Sequence, residues 1–225
     1  MFEQRALQHH IQKFIIGILI HRKYARFSEL RPPKTDTNLF SYHLKVLIKE
    51  KWIDKTEEGY TLSKNGLAYV DRVSLEKLNI RSQAKIITML LIQNSEGDVL
   101  VQQRRKQPYI DTWTLPYGKT HIDDYSIEMS ARRESLEKLN YAPSVIRHVG
   151  DAYIRVKTDG EILSSTLVHI FRFETDNIVE SDSIKWVQPL KLLRLNLAPA
   201  VEDIVSRSFF GDEHFFVEFT HDWEY

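Results

Sequence analysis

The chain contains no cysteine. Disulfide staples, thiolate metal sites and cysteine nucleophiles are therefore excluded, and the composition fits a reducing compartment. Net charge is also missing: 31 Lys+Arg balance 31 Asp+Glu over 225 residues. A whole-chain basic footprint for nucleic acid is thus absent. No apolar run is long. The longest, Phe14 to Ile20, is far too short to span a bilayer. The opening MFEQRALQHH lacks the charged-then-apolar order of a signal peptide. The expectation is a cytoplasmic protein. At 42% hydrophobic and 28% charged residues the chain is neither collagen-like, largely disordered nor a coiled-coil rod.

The zero balance hides an asymmetry. Residues 1–80 hold 14 Lys+Arg against 9 Asp+Glu, and residues 81–225 hold 17 against 22. Halves of opposite sign imply two domains with different partners, 1–80 and 81–225. The texture changes at the same place. Helical spacing dominates first, then short β-rich runs follow: Lys85–Gln93, Val99–Arg104, Val145–Val156 and Thr166–Glu174. The joint is expected near Leu78–Gln83.

In the first part, Ala6–His21 predicts a helix with Leu7, Ile11, Phe14, Ile15, Ile18 and Leu19 on one stripe. A short element begins at Phe27–Leu30 and ends at Pro32–Pro33. Thr35, Asp36 and Thr37 offer caps to a helix over Asn38–Lys51, whose apolar stripe is Phe40, Leu44, Leu47 and Ile48. A hairpin, Trp52–Thr56 and Tyr60–Leu62, precedes a helix over Asn65–Ser74. His9, His10 and His21 lack metal-ligand spacing and read as solvated or packing residues.

The segment FSYHLKVLIKEKWIDKTEEGYTLSKNGLAYV resembles winged helix-turn-helix domains of the ArsR-like class. That resemblance implies a third helix in the major groove and a hairpin wing along the phosphates. Thr37, Asn38, Ser41, Tyr42 and Lys45 would then face double-stranded DNA, with Lys55 on the wing, and a homodimer would match a two-fold operator. Glu57 and Glu58 at the wing tip repel phosphate, so dimerisation or protein binding stands as the alternative role.

Three pieces of the second part carry chemistry: VLVQQRR, DTWTLPYGKTHIDDYSIEMSARRESLEKLNY, and DSIKWVQPLKL with its Pro189-led helix. Together they resemble the Nudix superfamily, α/β/α sandwiches that cleave a diphosphate linked to a nucleoside or other group. The fold class implied for the whole chain is α/β (α+β), a winged helix followed by a Nudix sandwich. The family box is Gly, five residues, Glu, seven residues, Arg-Glu, an apolar residue, any residue, Glu-Glu, any residue, Gly. Gly118, Arg133, Glu134 and Glu137 agree with it. Carboxylates three apart share a helix face, where they hold Mg²⁺ or Mn²⁺ on hard oxygens. The resemblance therefore makes Glu134 and Glu137 catalytic and, with the Gly118 backbone, metal-binding.

The departures bear on activity. Lys138 stands where the second Glu belongs, and an ammonium cannot ligate Mg²⁺. Ser135 replaces the apolar residue and Asn140 the closing Gly. Gly118 and Arg133 are fifteen positions apart where the box has fourteen. Asp124, at the first Glu position, is available to pair with Arg133. Two readings follow: Lys138 holds a diphosphate that is bound but not cleaved, or one Mg²⁺ sits on Glu134 and Glu137 and hydrolysis is slow. Glu161, Glu174 and Glu180 are candidates for a further carboxylate. Arg104 matches an arginine the family places near substrate. Loops Lys106–Thr112 and Val156–Ser165 are expected to select the ligand.

The aromatic stretch Ser208–Tyr225 is expected to form a strand, packed on its own chain or on a partner subunit. In plan the chain is similar to Nudix-related transcriptional regulators of NAD metabolism, which sense ADP-ribose-like ligands, with the domain order reversed. The leading expectation is a ligand-responsive DNA-binding regulator that binds a nucleoside diphosphate derivative. The alternatives are an active pyrophosphohydrolase whose winged helix dimerises or recruits a partner, and a structural scaffold without a ligand.

Overall fold

His9 decides where the first helix begins. Its Nδ1 accepts a hydrogen bond from the Ile11 amide at 3.2 Å, which caps α1 (His10–His21). A computed structural model of the chain describes residues 7, 9–73, 83–209 and 214–224. Ala6, the expected helix start, lies outside the described residues, but Leu7 is already non-helical. Ile11, Ile15, Ile16 and Leu19 are buried, and Ile16 takes the place on the stripe expected for Phe14, which is exposed. After α2 (Phe27–Leu30) comes α3 (Thr37–Lys49). Asp36 caps α3 by accepting from the Asn38 and Leu39 amides at 2.8 and 3.0 Å. Phe40, Leu44 and Leu47 bury the inner face of α3. Strands β1 (Ile53–Lys55) and β2 (Tyr60–Leu62) form an antiparallel hairpin, and Tyr60 also bridges back to Ala25. Ser63 caps α4 (Lys64–Val70) through the Gly66 amide, and the expected helix end at Ser74 lies outside the described residues.

The chain divides into two units, Met1–Ser82 and Gln83–Tyr225. Apart from Gln83, the expected joint lies outside the described residues. The second unit is a mixed sheet with helices. Its strands are β3 (Lys85–Gln93), β4 (Val99–Gln103), β5 (Trp113–Thr114) and β6 (Tyr117–Lys119), followed by α5 (Ile127–Leu139). Then come β7 (Arg147–Thr158), β8 (Glu161–Glu174), β9 (Ile184–Val187), a 3₁₀ turn over Pro189–Arg194, α6 (Val201–Phe209) and β10 (Phe215–Asp222). The sheet runs β10-β7-β8-β3-β4-β5, with β6 also on β3 and β9 on β4.

Strand β3 is buried from Ile87 to Gln93 and, apart from Thr88 and Gln93, apolar there, because that part is covered on both faces. Ile87, Met89 and Leu91 pack with Val201, Ile204 and Val205 of α6, while Leu90 and Ile92 pack with Ala131 of α5. The fold class is therefore α+β, as the pattern of elements implies. One expectation needs correcting: Val156–Ser165 is not a loop. Strands β7 and β8 continue through it to a tight turn at Asp159-Gly160, both in the left-handed region. The C-terminal aromatics dock on their own chain. Strand β10 pairs in parallel with β7, setting Phe215 opposite Gly150, where a Cβ would lie 2.7 Å from the Phe215 ring. Phe210 and Tyr225 lie outside the described residues.

Candidate functional site

Helix α5 presents the charged residues of the box. Ser126 caps it at the start, accepting from the Met129 amide, and Asn140 ends it in the left-handed conformation that the box glycine would supply. Ser135 is buried and donates to the Tyr141 carbonyl at 2.7 Å, so a polar residue is accommodated where the family has an apolar one.

Arg133 organises the site. Its Nε and Nη2 each lie 2.9 Å from an Asp124 carboxylate oxygen, a two-pronged pair. Nη2 also reaches the Lys119 carbonyl at 3.0 Å, and Nη1 donates to Glu134 at 2.7 Å and Glu137 at 3.3 Å. The hydrogen bonds from Arg133 hold the Asp124 carboxyl well below its ordinary range, with the His121 amide adding to this against the opposing effect of burial. The same pair raises Arg133 further above its usual value. The one-residue insertion in the box leaves this pairing intact.

Glu134 is buried and lies against Gly118. A Cβ at Gly118 would fall 1.7 Å from the Glu134 carboxyl carbon, so a larger residue there would have to displace that side chain from its partners. The Glu134 side chain is 6% exposed and that of Glu137 55%. This asymmetry makes Glu134 part of the framework and leaves Glu137 at the surface. The Lys138 ammonium lies 3.4 Å from Glu134 Oε2 and donates to the Tyr117 carbonyl. Its Nζ also stands 4.9 Å from the Tyr117 ring centre.

Beside this network opens a cavity of about 230 Å³. Lys85, Arg104 and Lys119 supply its positive charge, Tyr109 and Tyr117 its aromatic surface, and among the described residues no carboxylate lines it. Arg104 lies 5.6 Å from the Tyr109 ring centre and 5.3 Å from that of Tyr117. It donates to the Pro108 carbonyl at 2.9 Å, and burial lowers its pKa. Lys85, Tyr109, Tyr117 and Lys119 were not singled out in the sequence. Alternating residues of a strand sharing one face is the signal that places Lys119 with Tyr117. A larger cavity of about 560 Å³ is lined by Arg147, His148, Arg172 and His214 and does not include Arg104.

The other candidates fall elsewhere. Glu180 accepts from the Trp186 amide at 2.7 Å, Glu174 lies 3.5 Å from Arg172, and Glu161 pairs with Thr158 at the hairpin turn. None of these contacts leads to Glu134 or Glu137. In the first unit, Thr37, Asn38, Tyr42, Lys45 and Lys55 are exposed and Ser41 is half-buried. Thr37 Oγ1 already accepts from Arg31 at 2.8 Å.

Residues 84–208, more than half of the chain, match the family profile described as NUDIX domain, and the chain belongs to the Nudix family. A search of curated proteins gives no match. Among solved structures, the Nudix domain of Shewanella oneidensis NrtR complexed with ADP ribose aligns at 16% identity and TM-score 0.49, covering 64% of this chain and 96% of that one. Shewanella oneidensis NrtR itself aligns at 17% and 0.46, over 55% and 60%. A MutT protein from Methanosarcina mazei aligns at 22% and 0.46, over 58% and 96%.

Nudix proteins generally use Mg²⁺ or Mn²⁺. The residues present do not fit that ion on Glu134. Both its carboxylate oxygens already face a side-chain cation, Arg133 on one side and Lys138 on the other. The Tyr117 carbonyl meets the Lys138 ammonium and the Lys119 carbonyl the Arg133 guanidinium. A divalent ion there would be repelled by Lys138. No further described residue adds a carboxylate to Glu134 and Glu137 in a group of three ligands.

No helix among the described residues is long and apolar enough to cross a membrane.

Proposed function

We propose that the chain is a ligand-responsive DNA-binding transcriptional regulator whose Nudix domain binds a nucleoside diphosphate derivative with weak or no hydrolysis. One observation carries this reading: the Lys138 ammonium stands between Glu134 and the Tyr117 carbonyl, where a catalytic metal would need to be. The diphosphate would lie along Lys119 and Arg104 in the cavity, with Lys138 adjoining through Tyr117, and the base or sugar would pack between the tyrosines. Phosphate contacts of this kind are charge-assisted and stronger than neutral ones. The first unit acts as a winged helix-turn-helix, with Thr37, Asn38, Ser41, Tyr42 and Lys45 on the DNA side of α3 and Lys55 on the wing, in a homodimer. Ligand binding alters DNA affinity only through different affinity for two states of the dimer.

The test is turnover of ADP-ribose, NADH and nucleoside triphosphates with Mg²⁺ or Mn²⁺, with thermal shift followed in the same wells. The expected result is a thermal shift with turnover at background. Metal-dependent turnover abolished by Glu137→Gln would overturn it and make the chain a pyrophosphohydrolase.

A further inference from the structure

Four side chains outside the Nudix site meet on one face of the sheet. His148 and Asp151 belong to β7, His169 to β8, and His214 directly precedes β10. Asp151 Oδ1 lies 2.8 Å from His148 Nε2 and 2.6 Å from His169 Nδ1. Its Oδ2 lies 3.5 Å from His214 Nε2. The ligand atoms of His148, Asp151 and His169 all fall within 4.8 Å of one another.

The backbone arranges this meeting. Residues three apart in a regular strand point to opposite faces. Here the register of β7 against β8 shifts between His148 and Gly150, with Val149 as the extra residue. A bulge of this kind re-aims the side chains that follow it. It turns His148 and Asp151 to the same face. Asp151 is the register partner of His169 on β8, so the two adjacent strands contribute at one level. The His148 ring is further oriented by stacking on Phe171, with centroids 4.9 Å apart.

We propose that His148, Asp151 and His169 form a zinc site, with His214 Nε2 lying 3.5 Å from the other carboxylate oxygen of Asp151. Imidazole nitrogens with one carboxylate suit zinc, whereas magnesium and calcium demand oxygen ligands. Three protein donors leave the fourth position of a tetrahedral site to water. Zinc–nitrogen bonds of about 2.0–2.1 Å place tetrahedral ligand atoms roughly 3.3 Å apart, so the hydrogen-bonded pairs need to part by less than an ångström. His148 and His214 line the cavity of about 560 Å³, which gives the ion an entry path. The ion would tie β7 to β8.

The test uses the full-length, tag-free chain, stripped of metal and titrated with Zn²⁺ against a chromophoric chelator. One equivalent is expected to bind, unaffected by millimolar Mg²⁺, and to raise the melting temperature. Losing a direct ligand in His169→Ala or Asp151→Ala is expected to weaken binding by at least about the 10–100-fold seen for outer-shell changes. His21→Ala, outside the cluster, is expected to bind as the parent does. Cobalt in the parent chain gives a reading that needs no variant: intense visible absorption of a tetrahedral site is expected. Absence of stoichiometric zinc, pale octahedral cobalt absorption, or undiminished affinity in both variants would each overturn the proposal.

Discussion

Lys138 and Glu134 lie 3.4 Å apart, ammonium to carboxylate, one helical turn from each other on α5. The pair places a fixed positive charge inside a family site built for a mobile one. It accounts for the sequence departure that looks most damaging, because the cation is supplied by the chain itself.

Lys138→Glu therefore tests whether the charge serves ligand binding. A lost charge-assisted hydrogen bond is worth about 1.5–3 kcal/mol, so the affinity for a nucleoside diphosphate ligand should fall roughly 10- to 100-fold. Turnover should stay at background. Calorimetric titration alongside a metal-dependent hydrolysis assay measures both, and a gain of turnover would identify a decayed hydrolase.

Gly118→Ala should be disruptive although it adds one methyl group. Its Cβ would meet the Glu134 carboxyl, which Arg133 and Lys138 hold in place. Overpacking of this kind costs about 1–3 kcal/mol. Chemical denaturation should show that loss together with weakened ligand binding.

The Asp124–Arg133 pair predicts an acid-sensitive contribution. The folded-state carboxyl is held below its unfolded value, so the stabilisation is fully present above that unfolded value, about pH 4. It is lost progressively as pH falls below it toward the depressed folded value. Asp124→Asn should flatten the stability profile in that acid window and lower stability near neutrality by about 1–3 kcal/mol. A profile identical to the parent chain's would show that the pair is energetically neutral.

Strand β3 and helix α5 were legible in the sequence for physical reasons. A mostly apolar run, interrupted only by Thr88, marks a strand covered on both faces, and Ser126 with carboxylates three apart marks a capped helix showing one polar face. The hairpin over Val156–Ser165 was not recognised, although its Asp159-Gly160 pair is a strong turn signal. The polar residues around that pair hid the alternation. Tyr109 and Lys85 come to the cavity from distant segments, which no local pattern announces. The His148–Asp151 meeting was hidden by the bulge at Val149, since three-residue spacing in a strand signals separation.

Arg104→Ala should weaken ligand binding by roughly tenfold or more if its charge faces a diphosphate. DNA affinity without ligand should be unchanged. Fluorescence titration with ADP-ribose and with a labelled duplex separates the two effects.

Lys45→Ala tests the first unit by itself. If Lys45 faces a phosphate, removing it should weaken duplex binding across sequences and reduce the salt slope by about one. Fluorescence anisotropy over a range of salt concentrations measures this. An unchanged slope would assign α3 to protein contact.

The parallel pairing of β3 with β8 has a consequence for how quickly the second unit assembles. Lys85 pairs with Thr166 and Gln93 with Glu174, so its central strands come from segments separated by most of the unit. Closing a loop of roughly eighty residues must precede the gain from those contacts, and such topology slows folding. The first unit, held by neighbouring helices and a hairpin of three residue pairs, has no such delay. Kinetic refolding of the full chain should therefore separate into a fast phase and a slow one, with the slow phase reporting completion of the central sheet.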